Sequence, residues 1–290
     1  MQLNYEKLKG VIWYNGKLIK ATKAKLHVLS HSLHFASAVF EGIRVYNKKP
    51  FRLDDHIRRL FFSAKILDIK IPYTKKTILL SCKRIIKEQK LTSGYLRPII
   101  WRGGQSMAPS ISNPNINIAI AGWEWPIYYS SEAKRKGISL DISNWKRPPS
   151  DCAPTQSKCS GLYMICTLAK HEAEKKKYDD ALMVDIKNNI CETTSSNIFF
   201  IKKKMIITPI PENFLDGITR KEIIKICKKD NIKVVERKIN LKELYNMDAC
   251  FVTGTAAEVT PIRAILKKKY DTNNKFLTRI MRQFEKKINF

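Results

Sequence analysis

Apolar positions in the first part of this chain follow strand spacing in one stretch and helix spacing in another. The apolar run from Val11 to Ile19 is interrupted by Asn15-Gly16, the dipeptide preferred in a two-residue hairpin turn of type I′. Farther along, apolar residues recur at helical spacing from Ile57 to Leu67, and Asp54 or Asp55 can cap the helix that this predicts. The sequence therefore predicts a hairpin followed by a helix.

Two more strands are predicted in this part, from Tyr95 to Trp101 and from Ile116 to Trp123, with a glycine-, serine- and proline-containing loop between them. In the second part, a helix is predicted after Gly161. The other predicted elements of the second part are strands at Ala181 to Ile186, Asn197 to Ile201, Val234 to Val235 and Ala249 to Thr253, and a helix at Ile218 to Lys229.

The segment from Trp123 to Gly137 is aromatic and then polar, which is typical of a connection between domains. We therefore expect a small N-terminal α/β domain at residues 1–124, an interdomain loop at 125–137 and a large C-terminal α/β domain at 138–290. Strands and helices are mixed in both parts without an internal repeat, which indicates an α+β or mixed α/β architecture.

The chain carries 54 Lys and Arg against 26 Asp and Glu, and its net charge of +28 is typical of nucleic-acid-binding proteins. The cations are nevertheless spread from Lys7 to Lys287, and their local runs follow apolar segments, where solvated turns and helix ends are expected. The runs also lack interleaved aromatic residues that would stack on bases. We therefore expect no specific nucleic-acid partner, and a basic nucleic-acid-binding protein is kept as the alternative from a different class.

Apolar stretches such as Ile116 to Ala121 are far shorter than the ~20 residues that a membrane-spanning helix needs. The first ten residues lack the apolar core of a signal peptide. The seven cysteines form no C-x-x-C pair, which fits reduced thiols. We expect a cytoplasmic protein without a membrane partner.

His27, His31 and His34 lie close together, but no carboxylate or cysteine accompanies them before Glu41. We therefore expect these histidines to position a loop by hydrogen bonds, and we expect no metal site. The glycine-rich motifs of dinucleotide and P-loop nucleotide binding are absent from the sequence as well.

Lys158 stands alone among small, neutral residues between Ala153 and Tyr163, whereas most lysines of the chain lie in charged runs. Burial there would disfavour the ammonium form and leave the amine free to form a Schiff base. A surface lysine in a loop of small residues fits the pattern as well. The position alone therefore leaves both interpretations open.

Two segments offer backbone N–H groups and hydroxyls to a phosphate, namely Ile218 to Arg220 after Asp216-Gly217, and Thr253 to Glu258. Glu192 precedes hydroxyl residues and an apolar strand, so it is either a turn residue or a buried carboxylate beside a cationic ring nitrogen. An amine, a carboxylate and a phosphate site are together the parts of a pyridoxal phosphate site.

The chain as a whole resembles the branched-chain amino acid aminotransferases, which belong to fold type IV of the pyridoxal phosphate enzymes. The matching segments extend over nearly the whole chain and are HVLSHSLHFASAVFEGIRVY, HIRRLFFSAKI, GYLRPIIWRG, PTQSKCSGLY, ICETTSSNIFFI, LDGITRKEIIK and TGTAAEVTPIR. The resemblance implies a two-domain α+β aminotransferase that moves the amino group of L-leucine, L-isoleucine or L-valine to 2-oxoglutarate. It also implies pyridoxal 5′-phosphate as cofactor and a homo-oligomer, either a dimer or a hexamer.

The resemblance implies roles for single residues. Lys158 corresponds to the lysine that binds the cofactor covalently and moves the α-proton, and Glu192 corresponds to the acid at the pyridinium nitrogen. Tyr163 corresponds to the tyrosine at the phenolic oxygen of the cofactor. The phosphate is expected to bind Arg59 with help from Gly217, Ile218, Thr219, Gly254 and Thr255.

Substrate residues are implied in the same way. Arg97 is expected to bind the distal carboxylate of glutamate. The α-carboxylate is expected at Tyr95 and at the backbone amides of Thr255, Ala256 and Ala257, and the apolar pocket is expected to be lined by Phe40, Trp125 and Tyr128. Phe35 departs from the family pattern, because many relatives have tyrosine there, and the missing hydroxyl bears on the binding of glutamate.

Two other enzymes of the same fold are alternatives. A D-amino acid aminotransferase or an aminodeoxychorismate lyase would share Lys158, Glu192 and the phosphate site. The segments GYLRPII and TGTAAEVTP favour the branched-chain group. Small-molecule amino acids and 2-oxo acids are therefore the expected partners.

Overall fold

The chain divides into two compact units in a computed structural model, which describes residues 4–125 and 129–289. The first unit contains Met1–Pro126 and Ser157–Gly161, and the second contains Ile127–Gln156 and Leu162–Phe290. The short segment around Lys158 thus groups with the N-terminal residues, whereas the expected domain at 138–290 includes it. The physical reason is a set of hydrogen bonds, among them an antiparallel bridge between Val39 and Cys159.

The described part of the first unit contains one antiparallel sheet and three α-helices. Its strands are β1 (Val11–Tyr14), β2 (Lys17–Lys20), β3 (Ala38–Phe40), β4 (Ile43–Tyr46), β5 (Lys49–Pro50), β6 (Gly94–Arg102) and β7 (Ile116–Glu124). Its helices are α1 (His31–Phe35), α2 (Leu53–Ile66) and α3 (Lys75–Glu88). The strand order is β2-β1-β7-β6-β4-β5, and β3 pairs with β6. The central pair, β6 and β7, is in register over nine residues of each strand.

The predicted hairpin is confirmed, because β1 and β2 pair directly and Asn15 and Gly16 have φ angles of 46° and 90°. The predicted helix is confirmed as α2, whereas its predicted cap is wrong. Arg52 caps α2 in the left-handed conformation, and Asp54 and Asp55 lie in the first helical turn. Acidic side chains stabilise that turn through the helix dipole, and the Asp55 carboxylate accepts from the side chains of Arg52 and Arg58.

The second unit contains a larger mixed sheet. Its strands are β8 (Ile138–Ile142), β9 (Asp180–Val184), β10 (Ile190–Thr193), β11 (Asn197–Lys202), β12 (Met205–Thr208), β13 (Lys233–Glu236), β14 (Ala249–Gly254), β15 (Glu258–Ile265) and β16 (Lys268–Lys269). Its helices are α4 (Ser131–Lys136), α5 (Tyr163–Lys175), α6 (Ile218–Lys229) and α7 (Lys275–Ile288). The order is β10-β9-β8-β15-β14-β11-β12-β13, with β16 on β15. Because β10 also pairs with β11, six of the described strands form a closed ring.

The core of the second unit comes from apolar side chains of this sheet, including Leu140, Leu182, Phe200 and Val252. The strands predicted near residues 181–186, 197–201, 234–235 and 249–253 and the helix at 218–229 are confirmed as β9, β11, β13, β14 and α6. The interpretation of Glu192 as a turn residue is wrong, because it lies inside β10. No helix within the described residues has the length and apolar character to span a membrane.

Candidate active site

Lys158 lies in a segment that backbone hydrogen bonds hold in the first unit. Its carbonyl accepts from the N–H of Phe40 at 3.1 Å, and its own N–H donates to the Ser63 hydroxyl of α2 at 2.9 Å. The side chain is partly buried, and its Nζ lies 5.0 Å from the centre of the Phe40 ring. Burial, and after it the positive charge of Arg59, lowers the pKa of Lys158 to about 8. Near neutral pH, part of this lysine is therefore an uncharged, nucleophilic amine.

The Phe40 ring brings two expected substrate residues close to Lys158. The guanidinium carbon of Arg97 lies 4.7 Å from the centre of this ring, and Arg97 NH2 lies 3.5 Å from the Tyr95 hydroxyl. The Nε of Arg97 is buried and has no hydrogen-bond partner within residues 4–125 and 129–289. An anionic ligand at this position would satisfy that donor.

Tyr95 is held in an aromatic group that includes the expected pocket residue Trp125. The Tyr95 ring lies 4.7 Å from the Trp125 ring and 5.4 Å from the Trp123 ring, measured between centroids. The backbone of Gly42 approaches the Tyr95 hydroxyl so closely that a Cβ at Gly42 would collide with it. This group offers a largely apolar surface with one hydroxyl, which suits an aliphatic side chain beside a polar group.

Arg59, which is expected to bind the phosphate, lies on α2 and forms an ion pair with Glu41. Its Nε and NH2 lie 2.6 and 3.0 Å from the two oxygens of Glu41, which is fully buried. His56, one helical turn earlier, also contacts this carboxylate, at 2.6 Å. Sequence reasoning missed Glu41 and His56. The available signals were a lone carboxylate in an apolar stretch and the three-residue spacing of His56 and Arg59 on one helix face.

Glu192 of β10 is buried in the second unit, and a cation lies beside it. The Nε of Arg147 is 3.5 Å from Oε1 of Glu192, and the Arg147 NH1 contacts the Cys166 sulfur at 3.7 Å. Cys166 lies on α5, three residues after Tyr163, which is the first residue of that helix. Sequence reasoning missed Arg147, although its place outside the lysine runs is the kind of signal that singled out Lys158.

Asn197 links the parts of the second unit that are expected to bind the cofactor. It is the first residue of β11, where it pairs with Glu192 on one side and with Thr253 on the other. Its Oδ1 accepts from the N–H of Gly217 at 3.1 Å, and its Nδ2 donates to the carbonyl of Leu215 at 2.9 Å. Asn197 thus places the start of α6 close to the end of β14. Sequence reasoning assigned no role to this residue.

The two expected phosphate segments have the local structure that anion binding needs. Gly217 precedes α6 and has no side chain to cap its first N–H groups, while Ile218 and Thr219 form the first turn. Gly254 ends β14 and is followed by the turn of Thr255, Ala256 and Ala257 before β15. The Thr253 hydroxyl beside this turn is buried and has no partner within the described residues.

Phe35 and the histidines of the N-terminal segment lie in and around α1. Phe35 is 40% exposed at the end of α1, and its ring is stacked on His31 with centroids 4.5 Å apart. Tyr128 lies outside the described residues. The expected hydrogen bonding of the histidines is confirmed, because His31 contacts the Ser37 hydroxyl at 2.8 Å and the Ala108 carbonyl at 3.1 Å. His34 contacts the Val28 carbonyl at 2.9 Å.

The chain belongs to the class IV aminotransferases, because the amino-transferase class IV family model matches residues 38–265. Among its relatives is a probable branched-chain-amino-acid aminotransferase of Rickettsia felis, 41% identical over 269 residues that cover 92% of this chain and 89% of that protein. The structure of the branched-chain amino acid aminotransferase of Escherichia coli matches with a TM-score of 0.93 and 33% identity, and covers 96% of this chain and 94% of that one.

A second solved structure is that of the T.th. branched-chain amino acid aminotransferase with pyridoxamine 5′-phosphate. It matches with a TM-score of 0.93 and 34% identity over 97% of this chain and 95% of that chain. These matches confirm the expected α+β aminotransferase fold, and with it the resemblance drawn from the sequence segments.

Proposed function

We propose that this chain is a pyridoxal 5′-phosphate-dependent aminotransferase that moves the amino group of L-leucine, L-isoleucine and L-valine to 2-oxoglutarate. The products are the branched-chain 2-oxo acids and L-glutamate. The observation that carries the proposal is Lys158, an amine with a pKa of about 8 that lies over the same aromatic ring as Arg97. Relatives described as branched-chain aminotransferases support the substrate class.

The described residues fit pyridoxal 5′-phosphate. The Thr253 hydroxyl is buried without a partner within the described residues, the first turn of α6 has no side-chain cap at Gly217, and the lowered pKa of Lys158 suits an amine that binds an aldehyde. The T.th. relative is described with the related pyridoxamine 5′-phosphate, which supports the same cofactor class here. When bound, the cofactor supplies an aldehyde that exchanges amines and a ring that accepts electrons.

In the first unit, the amine of Lys158 would hold the cofactor through its aldehyde, and as a base it would carry the α-proton of the substrate. Arg59 binds the phosphate. Arg97 binds the distal carboxylate of glutamate, and Tyr95 binds the α-carboxylate. Because one covalent site serves both substrates, the amino acid and the 2-oxo acid react in turn. Phe40 and Trp125 supply the apolar surface for the aliphatic side chain, and Tyr128 is expected to extend it.

In the second unit, the negative charge of Glu192 would hold the proton on the ring nitrogen of the cofactor. The Tyr163 hydroxyl would donate to the phenolic oxygen of the cofactor. The phosphate and the α-carboxylate are bound by two segments whose backbone N–H groups suit anions. The phosphate is assigned to Gly217, Ile218, Thr219, Gly254 and Thr255, and the α-carboxylate to the amides of Thr255, Ala256 and Ala257.

The proposed function extends to how the chain assembles and to where it is located in the cell. A homo-oligomer, dimer or hexamer, is proposed from the resemblance to the family. A cytoplasmic location is proposed because all seven cysteines are free thiols, six of them buried, and free thiols persist in reducing compartments. Amino acids and 2-oxo acids are the partners that the site chemistry requires.

The test is the visible absorbance of the purified protein with and without L-leucine. We expect a yellow protein whose absorption band shifts when L-leucine is added and returns when 2-oxoglutarate follows. Lys158→Ala should lose this response, since the amine that binds the aldehyde is missing. The relatives do not favour a D-amino acid aminotransferase or an aminodeoxychorismate lyase. Activity with D-alanine and none with L-leucine, or a colourless protein that binds nucleic acid in a salt-sensitive way, would contradict the proposal.

A further inference from the structure

Glu41 is a carboxylate without any solvent exposure, and it follows β3 directly. A buried carboxylate requires charged or hydrogen-bonding partners, because desolvation strongly disfavours its ionised form. Its backbone N–H donates to the carbonyl of Pro98 at 2.9 Å, so the residue is held to β6 independently of its side chain. The partners of the side chain therefore indicate what this carboxylate does.

Arg59 binds the carboxylate of Glu41 through one edge of its guanidinium group. Nε donates to Oε1 at 2.6 Å and NH2 donates to Oε2 at 3.0 Å, which is a bidentate geometry. His56 Nδ1 lies 2.6 Å from Oε2, and the N–H of Gly42 donates to the same oxygen at 3.2 Å. His56 and Arg59 are one turn apart on α2, so two side chains from the same face of this helix contact Glu41.

The charges of this group are defined by its contacts. The positive charge of Arg59 and the contact with His56 overcome the effect of burial and hold the pKa of Glu41 well below its usual range. Burial lowers the pKa of His56, so the ring is neutral near pH 7. An ionised carboxylate only accepts hydrogen bonds, and His56 must therefore donate from Nδ1. The Glu41–Arg59 pair then carries no net charge.

We propose that Glu41 is a positioning residue that holds the Arg59 guanidinium side-on, so that the edge formed by its two terminal nitrogens binds the cofactor phosphate. This inference rests on the proposed function, because it assigns a phosphate to Arg59. An arginine side chain loses much rotational freedom when it binds, and prior fixation reduces that loss at the moment of binding. Glu41 supplies this fixation from outside the phosphate site.

Glu41 also acts on Lys158 through charge. Arg59 lowers the pKa of Lys158, and Glu41 raises it, so that the carboxylate offsets part of the effect of the guanidinium. Removal of the carboxylate charge leaves less of that repulsion offset, because only the smaller effect of Tyr95 then opposes it. The pKa of Lys158 must then fall further below about 8. This consequence provides a readout that does not depend on enzymatic turnover.

The experiment compares Glu41→Gln with the wild-type protein in the binding of pyridoxal 5′-phosphate and of pyridoxal, which lacks the phosphate. We expect the Kd for pyridoxal 5′-phosphate to rise roughly 10- to 100-fold, the range seen when residues that orient metal ligands are removed. The Kd for pyridoxal should change little. The pH midpoint for modification of Lys158 in the apoprotein should move downward.

Asp55→Asn is the matched control, because it makes the same change from carboxylate to amide at a residue of α2 whose carboxylate accepts from Arg52 and Arg58. It should leave both Kd values unchanged. In an Arg59→Gln background, Glu41→Gln should have no further effect on the Kd for pyridoxal 5′-phosphate, because the two residues act as a unit. If Glu41→Gln does not fold, Glu41→Asp, which keeps the charge and shortens the side chain, is measured in the same way. The Kd for pyridoxal 5′-phosphate should again rise, whereas the pH midpoint of Lys158 should stay near that of the wild-type protein.

Equal weakening of pyridoxal and pyridoxal 5′-phosphate would overturn the inference, and so would an unchanged Kd for the phosphate form or full additivity with Arg59→Gln. Failure of the proposed function is a separate result, namely a wild-type protein that binds the cofactor but does not transaminate L-leucine with 2-oxoglutarate. The binding comparison stands in that case, since it requires the cofactor and not the substrate.

Discussion

The Nε of Arg147 lies 3.5 Å from the carboxylate of Glu192, and both side chains are buried in the second unit. Glu192 supplies the main opposing charge that raises the pKa of Arg147 despite its burial. Arg147 is held further by donation from Nε to the carbonyl of Asn213 at 3.2 Å. Glu192 is therefore stabilised as an anion by the fold itself, which is the state that its proposed role at a ring nitrogen requires.

Arg147→Met should destabilise the apoprotein, because it leaves the Glu192 carboxylate buried without its charged partner. Loss of one member of a buried ion pair destabilises a protein by about 3–5 kcal/mol, and denaturant unfolding of the apoprotein measures this. The control is the double variant Arg147→Met with Glu192→Gln, which removes both charges and should regain much of the stability. A double variant no more stable than Arg147→Met would show that the destabilisation comes from packing and not from charge.

This ion pair shows which residues of the site could be predicted from the sequence and which could not. Lys158 and Glu192 were candidates because each stands out from its neighbours along the chain, and the resemblance to the family implied their roles. Arg147 was missed because its contact with Glu192 joins residues 45 positions apart in number. The backbone of Arg147 lies beside the end of β9, where its N–H donates to the Val184 carbonyl at 2.9 Å, and β9 pairs with the strand that carries Glu192. Glu41 was missed for the same reason, since its partners come from a different element, α2.

The elements themselves followed the local pattern more closely. The hairpin of β1 and β2, the helix α6 and the buried strands β11 and β14 all have strong local signals, either a turn dipeptide or an apolar run. The cap of α2 was predicted wrongly, because Arg52 in the left-handed conformation replaces the expected aspartate. The assignment of residues 157–161 to the first unit depends on hydrogen bonds between residues far apart in the chain, such as Lys158 and Ser63. The local sequence pattern gives no sign of such bonds.

Lys158→Met should stabilise the apoprotein at pH 7, because the wild-type fold must bury an amine whose pKa it lowers to about 8. The unfolded chain, with an ordinary lysine pKa of about 10.4, binds more protons between these two values, so wild-type stability rises with pH over that range. The advantage of Lys158→Met should be about 3 kcal/mol below pH 8 and shrink toward pH 10.

Thermal or denaturant unfolding of the apoproteins at several pH values measures this trend. Lys65→Met is the control, because Lys65 is an exposed lysine on α2. A constant difference between Lys158→Met and the wild type from pH 7 to pH 10 would contradict the lowered pKa.

Gly217→Ala should weaken the binding of pyridoxal 5′-phosphate by roughly tenfold, equivalent to about 1.4 kcal/mol. A Cβ at this position would collide with Oδ1 of Asn197, which accepts from the N–H of Gly217 at 3.1 Å. The start of α6 would have to move, and its N–H groups with it. Titration of the apoprotein with the cofactor measures the change, and unfolding measurements exclude a general loss of structure.

The matched background for Gly217→Ala is Asn197→Ala, in which the colliding oxygen is gone. Gly217→Ala should have a much smaller effect there, because both changes disrupt one contact. Equal effects in the two backgrounds would show that Asn197 does not set the position of α6.

Phe35→Tyr should lower the KM for 2-oxoglutarate several-fold and leave the KM for L-leucine unchanged. The Phe35 ring is stacked on His31, whose two nitrogens contact Ser37 and the Ala108 carbonyl, so the ring has a defined position. A hydroxyl on this ring adds a donor for a carboxylate, and a hydrogen bond to an ionised acceptor is worth about 1.5–3 kcal/mol when fully formed. Phe35 is 40% exposed, so the added oxygen requires no repacking.

Phe62→Tyr on α2, where the residue is 48% exposed, is the control and should change neither KM. If Phe35→Tyr lowers both KM values alike, the hydroxyl acts on binding in general and the distal carboxylate of glutamate is not recognised at this position.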